Sequence, residues 1–212
     1  MIKNYFISNC LLIINDLSEY HRNKSDKELK DFSDLDFSEA DLQAKLYYPL
    51  GNMAQLRQQG NFGDIRIPSK DFIVEVKYLR NFNNASNIRN QKAVWKEAFE
   101  KDYNWLTNEI KLGKKGKRAF ILGWFNLEGR RFSDIMQLGT GIGKNPLINK
   151  KRMLFFPFLN YNPDTNKIND ISYIYNSHFK EHDINIPGFN DDKATCMFIG
   201  QKNDKFHFAL YY

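Results

Sequence analysis

"GDIRIPSKDFIVEVK", Gly63 to Lys77, is the stretch that decides how this chain is read. Pro68-Ser69-Lys70 parts two short runs of β-formers, which predicts a hairpin with strands near 63–67 and 71–78. Side chains alternate along a strand, so Phe72, Val74, Val76 and Tyr78 share one face, and Ile73, Glu75 and Lys77 share the other. The first face is wholly apolar and predicts a strand packed on a core. The second face ends in two adjacent charges, which points to a cleft; the competing reading is a solvent-facing strand end. Asp64 and Arg66 share a face on the preceding strand, and hairpin pairing lets Asp64 meet Glu75 near one end of the sheet.

Two carboxylates at such a point suit a hard divalent cation, because Mg²⁺ takes oxygen ligands and needs only one or two from the protein. A neighbouring ammonium can orient a water or stabilise charge on a phosphate. Asp64, Glu75 and Lys77 therefore suit metal-assisted phosphodiester hydrolysis. Glu-x-Lys recurs at Glu28-Leu29-Lys30 and Glu109-Ile110-Lys111. Both lie in expected helices, where positions i and i+2 diverge by about 200° and do not share a site.

The pattern of Asp64, ten residues, then Glu75-Val76-Lys77 resembles the PD-(D/E)XK nuclease superfamily, with Gly63 in place of the proline. The resemblance covers about residues 38–126. It implies that Asp64 and Glu75 ligate Mg²⁺, with Mn²⁺ as a substitute, and that Lys77 assists the water. Family members often place an acid from the leading helix near the metal, which makes Glu39 a candidate; its charge also complements the helix dipole. Gln91 in "QKAVW" resembles the Gln-x-x-x-Tyr element of one branch, with Trp95 for tyrosine, and Lys92 beside it is a candidate phosphate contact. The strand expected ahead of Asp64 is not obvious in "YYPLGNMAQLRQQ".

Outward from the hairpin, 212 residues suit one domain, and 42% hydrophobic with 15% aromatic content supplies a large core. Residues 2–22 read as an amphipathic helix with Ile2, Phe6, Ile13, Leu17 and Tyr20 near one face, a core-packing helix too short and interrupted to span a membrane. "SEADLQAKLYY" opens on a capping box, Ser38 and Asp41. The longest helical pattern runs from a cap at Ser86 to a stop at Gly113, and "RAFILGWFN", 118–126, reads as a buried strand. "RMLFFPFLNY", "ISYIYNS" and the hairpin "TCMFIG-QKND-KFHFALYY" make the C-terminal third strand-rich.

The expected fold is α/β: a mixed central β-sheet flanked by helices. On the resemblance it is a restriction-endonuclease-like core with an N-terminal helical segment and extra C-terminal strands. The division is one domain over 1–212, with a helical segment 1–37, a core 38–126 and an elaboration 127–212.

The net charge of +6 is bunched at 111–118, 129–131 and 144–152, compatible with a polyanionic partner and equally with solvated loop charge. Lys144, Lys150 and Lys151 are candidate nucleic-acid contacts; if 111–118 and 144–152 flank the cleft, their cations neutralise backbone phosphates. "GTGIGKN", 139–145, lacks the spacing of a phosphate loop and reads as a flexible loop. His178 and His182 are four apart but lack an evident third ligand, and Cys10 and Cys196 make no zinc or disulfide framework. Reduced cysteines fit a cytoplasmic protein. The expected function is a Mg²⁺-dependent DNA endonuclease of restriction type, with duplex DNA as partner, no membrane, and a homodimer to cut both strands. An RNA-cleaving toxin on the same fold, or a nucleic-acid-binding module that never cleaves, are the rivals.

Overall fold

The computed structural model describes residues 2–56, 63–80, 92–127, 131–189 and 193–212. The chain opens with helix α1, Ile2–Tyr20, which buries Phe6, Cys10, Ile13, Ile14 and Leu17 at helical spacing. Tyr20, expected on that face, is instead 65% exposed. The charged segment after it holds a second capping box, Ser25 with Glu28, that starts α2, Asp26–Asp31. The Ser38–Asp41 box caps α3, Glu39–Tyr47, as expected.

One sheet of seven strands organises the molecule. In chain order its members are β1 Gln55–Leu56, β2 Ile65–Ile67, β3 Phe72–Tyr78, β4 Arg118–Phe125, β9 Glu181–Ile184, β10 Ala194–Ile199 and β11 Phe206–Tyr211. Four two-residue strands, β5 Gly139–Thr140 with β6 Leu147–Ile148 and β7 Leu159–Asn160 with β8 Ser172–Tyr173, form separate ribbons. The spatial order in the sheet is β1-β2-β3-β4-β11-β10-β9. Among the described strands of this sheet, only β3 and β4 pair in parallel. A parallel pair needs a crossover, and the helical run 92–114, here α4, supplies its described part. Gly113, at φ 78°, ends the run where a stop was expected. The missing strand before Asp64 is β1, two residues long and paired to β2 at the sheet edge.

The alternation in β3 holds. Phe72, Val74, Val76 and Tyr78 enter a core shared with α1 and α3, together with Ile121, Phe208 and Leu210. Phe120, Leu122 and Trp124 of β4 point to the other face and pack with Trp95, Phe99, Tyr103 and Leu106 of α4. Every residue of β4, β10 and β11 is buried, as a strand covered on both faces requires. The aromatic run "RMLFFPFLNY" is not a long strand. Asn149 caps a helical turn at Lys150–Met153, turns follow, and only Leu159–Asn160 is extended. Phe155, Phe156 and Phe158 are buried from those turns. Among the described residues no helix is long and apolar enough to cross a membrane.

Candidate active site

Ile65 pairs with Val74, and Asp64, one residue earlier, stands close enough to Glu75 for its charge to act on it. The ladder slips by one residue here, with the Asp64 N–H donating at 2.8 Å to the carbonyl of Val74, the partner of Ile65. Each carboxylate is then tied to the opposite chain. Asp64 Oδ2 accepts from the Val76 N–H at 2.7 Å, and Glu75 Oε2 accepts from the Gly63 N–H at 2.9 Å. Gly63 has φ +97°, and a Cβ built there would lie 2.1 Å from Ile73 Cγ2. Only glycine takes this place without strain. A proline here would have no N–H to give; the glycine supplies the donor that Glu75 uses.

Lys77 is two residues on from Glu75 and shares its face. Its Nζ lies 3.4 Å from Glu39 Oε1 and 3.6 Å from Asp102 Oδ2. Glu39 is the first residue of α3 and its second oxygen accepts from the Tyr78 N–H at 3.1 Å, so it is fixed at the C-terminal end of β3. Asp102 escaped the sequence reading. It comes from α4, is 1% exposed, and among the described residues neither of its oxygens accepts a short hydrogen bond. A signal existed: Asp102 stands seven residues after Trp95, four after Ala98 and four before Leu106, on the helix's buried stripe.

Crowding of carboxylates sets the electrostatics. Burial, opposed by the Val76 N–H and reinforced by Glu39, pushes Asp64 up to about 6. Burial and the charges of Asp64 and Asp102 push Glu75 up to about 7. Asp102 is also raised, by burial, against the pull of Lys77 and Lys101. For Lys77, burial works to lower the ammonium pKa, but Glu39, Asp102 and Glu75 outweigh it and the net shift is upward. Lys77 therefore carries its charge, while the two paired carboxylates resist carrying theirs together.

No family model, curated protein or solved structure matches this chain. What the site can do is argued from its own geometry. Among the described residues, no three of His, Cys, Asp and Glu already stand where they could hold a metal ion. Mg²⁺ needs only one or two protein carboxylates and keeps water for the rest, so Asp64 and Glu75 suffice as oxygen donors, with Glu39 beside them.

The remaining candidates divide. Gln91 lies outside the described residues, as does the proposed cap Ser86; Lys92 opens α4, and its side chain is likewise outside them. Lys144, Lys150 and Lys151 are exposed on the segment 131–152. That segment docks on the start of α4: the Trp95 indole N–H donates to the Met136 carbonyl at 2.7 Å, and Arg152 lies over the Trp95 ring while donating to the Gln137 carbonyl. A narrow crevice joins Lys77, Leu79 and Arg80 to Val94, Glu97 and Ile135, so this segment borders the Lys77 end of the sheet.

Residues 111–118 do not border it. Arg118 pairs with Ile73 at the start of β3, whereas Lys77 pairs with Leu122. Lys114, Lys117 and Arg118 gather around Asp71, six residues or about 20 Å of strand from Lys77. "GTGIGKN" forms the exposed tip of the β5–β6 ribbon. His178 and His182 share no helix: His178 Nδ1 accepts from the Gly200 N–H, and His182 sits in β9.

Proposed function

We propose that this chain is a Mg²⁺-dependent endonuclease with a restriction-endonuclease-like core, hydrolysing phosphodiester bonds in duplex DNA. The observation that carries the reading is the closeness of the Asp64 and Glu75 carboxylates, with Lys77 on the same face of β3 as Glu75. The element order of α3, hairpin, α4 and parallel strand β4 is the order on which the resemblance rests. Glu39, Asp64, Glu75 and Asp102 crowd around one ammonium, an excess of negative charge that a divalent cation would neutralise.

Asp64 and Glu75 are the residues that would hold the ion. Bound Mg²⁺ would supply Lewis-acid polarisation of the phosphate and a water of lowered pKa. Lys77 brings a fixed positive charge to the phosphate oxygen on which negative charge grows. Lys144, Lys150 and Lys151 contact backbone phosphates and position the duplex without reading its sequence. Cutting both strands calls for two such sites, which a symmetric dimer supplies.

The test incubates the purified protein with supercoiled plasmid and with total RNA, in EDTA, Mg²⁺ or Mn²⁺. Plasmid cleavage that needs metal and disappears in Asp64→Ala and Glu75→Ala is the expected result. Cleavage of neither substrate in either metal would refute the reading. RNA cleaved in preference to duplex would keep the chemistry and change the substrate.

A further inference from the structure

Asp102 has the burial of a core residue and the chemistry of a site residue. Its helix otherwise buries Trp95, Ala98, Phe99, Tyr103 and Leu106 along this stripe. A carboxylate kept in a core for structure alone is normally saturated by hydrogen-bond donors. Among the described residues Asp102 has no short hydrogen bond on either oxygen, and its close polar neighbours there are two ammonium groups, Lys77 Nζ at 3.6 Å and Lys101 Nζ at 3.7 Å. The Lys101 side chain is largely exposed, whereas that of Lys77 is only 16% exposed and lies on the same face of β3 as Glu75.

We propose that Asp102 is the positioning residue for Lys77, clamping its ammonium from the α4 side while Glu39 clamps it from α3. The two carboxylates come from helices packed against opposite faces of the sheet. Between them they fix a group whose four-carbon stem would otherwise sample many rotamers. An ammonium already in place does not need to reorganise as charge develops on a phosphate. Asp102 thus acts through Lys77 and touches neither substrate nor metal. The contribution to turnover rests on the nuclease reading; the clamp itself does not.

Two readouts separate these. In metal-free protein, the Lys77 ammonium should give a ¹H–¹⁵N cross-peak, assigned by its loss in Lys77→Arg, and that peak should broaden away in Asp102→Asn. With Mg²⁺ and plasmid, Asp102→Asn should lower kcat about 10-fold or more, the usual cost of losing an outer-shell partner, with KM little changed. In the Lys77→Ala background, the same substitution should lower kcat no further. An unchanged ammonium peak in Asp102→Asn would overturn the clamp, and so would a full additional loss of kcat in the Lys77→Ala background. If the protein cleaves nothing, the nuclease reading falls and the ammonium peak still decides the clamp. If circular dichroism shows Asp102→Asn unfolded, Asp102→Ser is read in its place.

Discussion

Glu75→Gln should make the metal-free protein more stable at neutral pH. The amide keeps the volume and can accept the Gly63 N–H, but it removes a charge that burial and Asp64 disfavour. The folded pKa of Glu75 is about 7, against an ordinary 4.5. Below about 4.5 the carboxyl is protonated in both folded and unfolded chains and costs nothing. Between those values the unfolded chain gives up the proton and the folded chain does not, so stability falls as pH rises, and above about 7 the full cost remains. At about 1.4 kcal/mol per pH unit, the gap is worth about 3.5 kcal/mol as an upper figure. For a chain of this size that is about 7–14 °C in Tm. Thermal melts of both proteins in EDTA, from about pH 4 to about pH 8, measure it. The offset should be near zero at the acid end and grow through the window. Mg²⁺ at the alkaline end should then raise the wild-type Tm and leave that of Glu75→Gln in place. A variant that melts lower than wild type at about pH 8, or an offset that ignores pH, would refute the reasoning.

Gly63→Ala should cost about 2 kcal/mol or more, since alanine meets both the positive φ and the Ile73 methyl, and it should cut cleavage by displacing the Glu75 carboxylate; chemical denaturation and plasmid nicking report the two. Glu109→Ala should leave cleavage rates intact yet lose about 2 kcal/mol, because buried Arg118 keeps Asp71 but loses the carboxylate 2.9 Å from its Nε. Charge reversal at Lys150 and Lys151 should weaken duplex binding in Ca²⁺ and flatten its salt dependence by about 0.9 in log–log slope per lost phosphate contact. The same reversal at Lys114 and Lys117 should change stability and leave that slope alone, since both cations serve Asp71 at the far end of β3.

The hairpin was legible because its information is local. Alternation with one wholly apolar face leaves little choice of orientation for Phe72–Tyr78, and a single turn brings Asp64 close to Glu75. Ser38 with Asp41, and Gly113, marked helix ends for similarly short-range reasons. Asp102 was illegible because one carboxylate in a 3.6-residue stripe looks like an error in the pattern until the facing strand shows Lys77. The aromatic run 152–161 misled because burial from a turn and burial from a strand demand the same residues. The basic bunches were visible, but charge along a sequence does not say which end of a parallel strand it will occupy; the pairing of Arg118 with Ile73 decided that.

The position of β11 has a consequence for how the protein is made. Phe206–Tyr211 is the last of the strands in sequence yet lies inside the sheet, between β4 and β10. Its partner in β4 is translated roughly eighty to ninety residues earlier. A nascent chain therefore carries β3 and β4 with the outer backbone edge of β4, Phe120 to Phe125, unpaired until residues 206–211 emerge. Pairing over such a separation is slow as well as late. Synthesis runs from the hairpin outward, but the sheet closes from its final strand inward, so the growing chain depends on holding partners during that interval more than the finished one does.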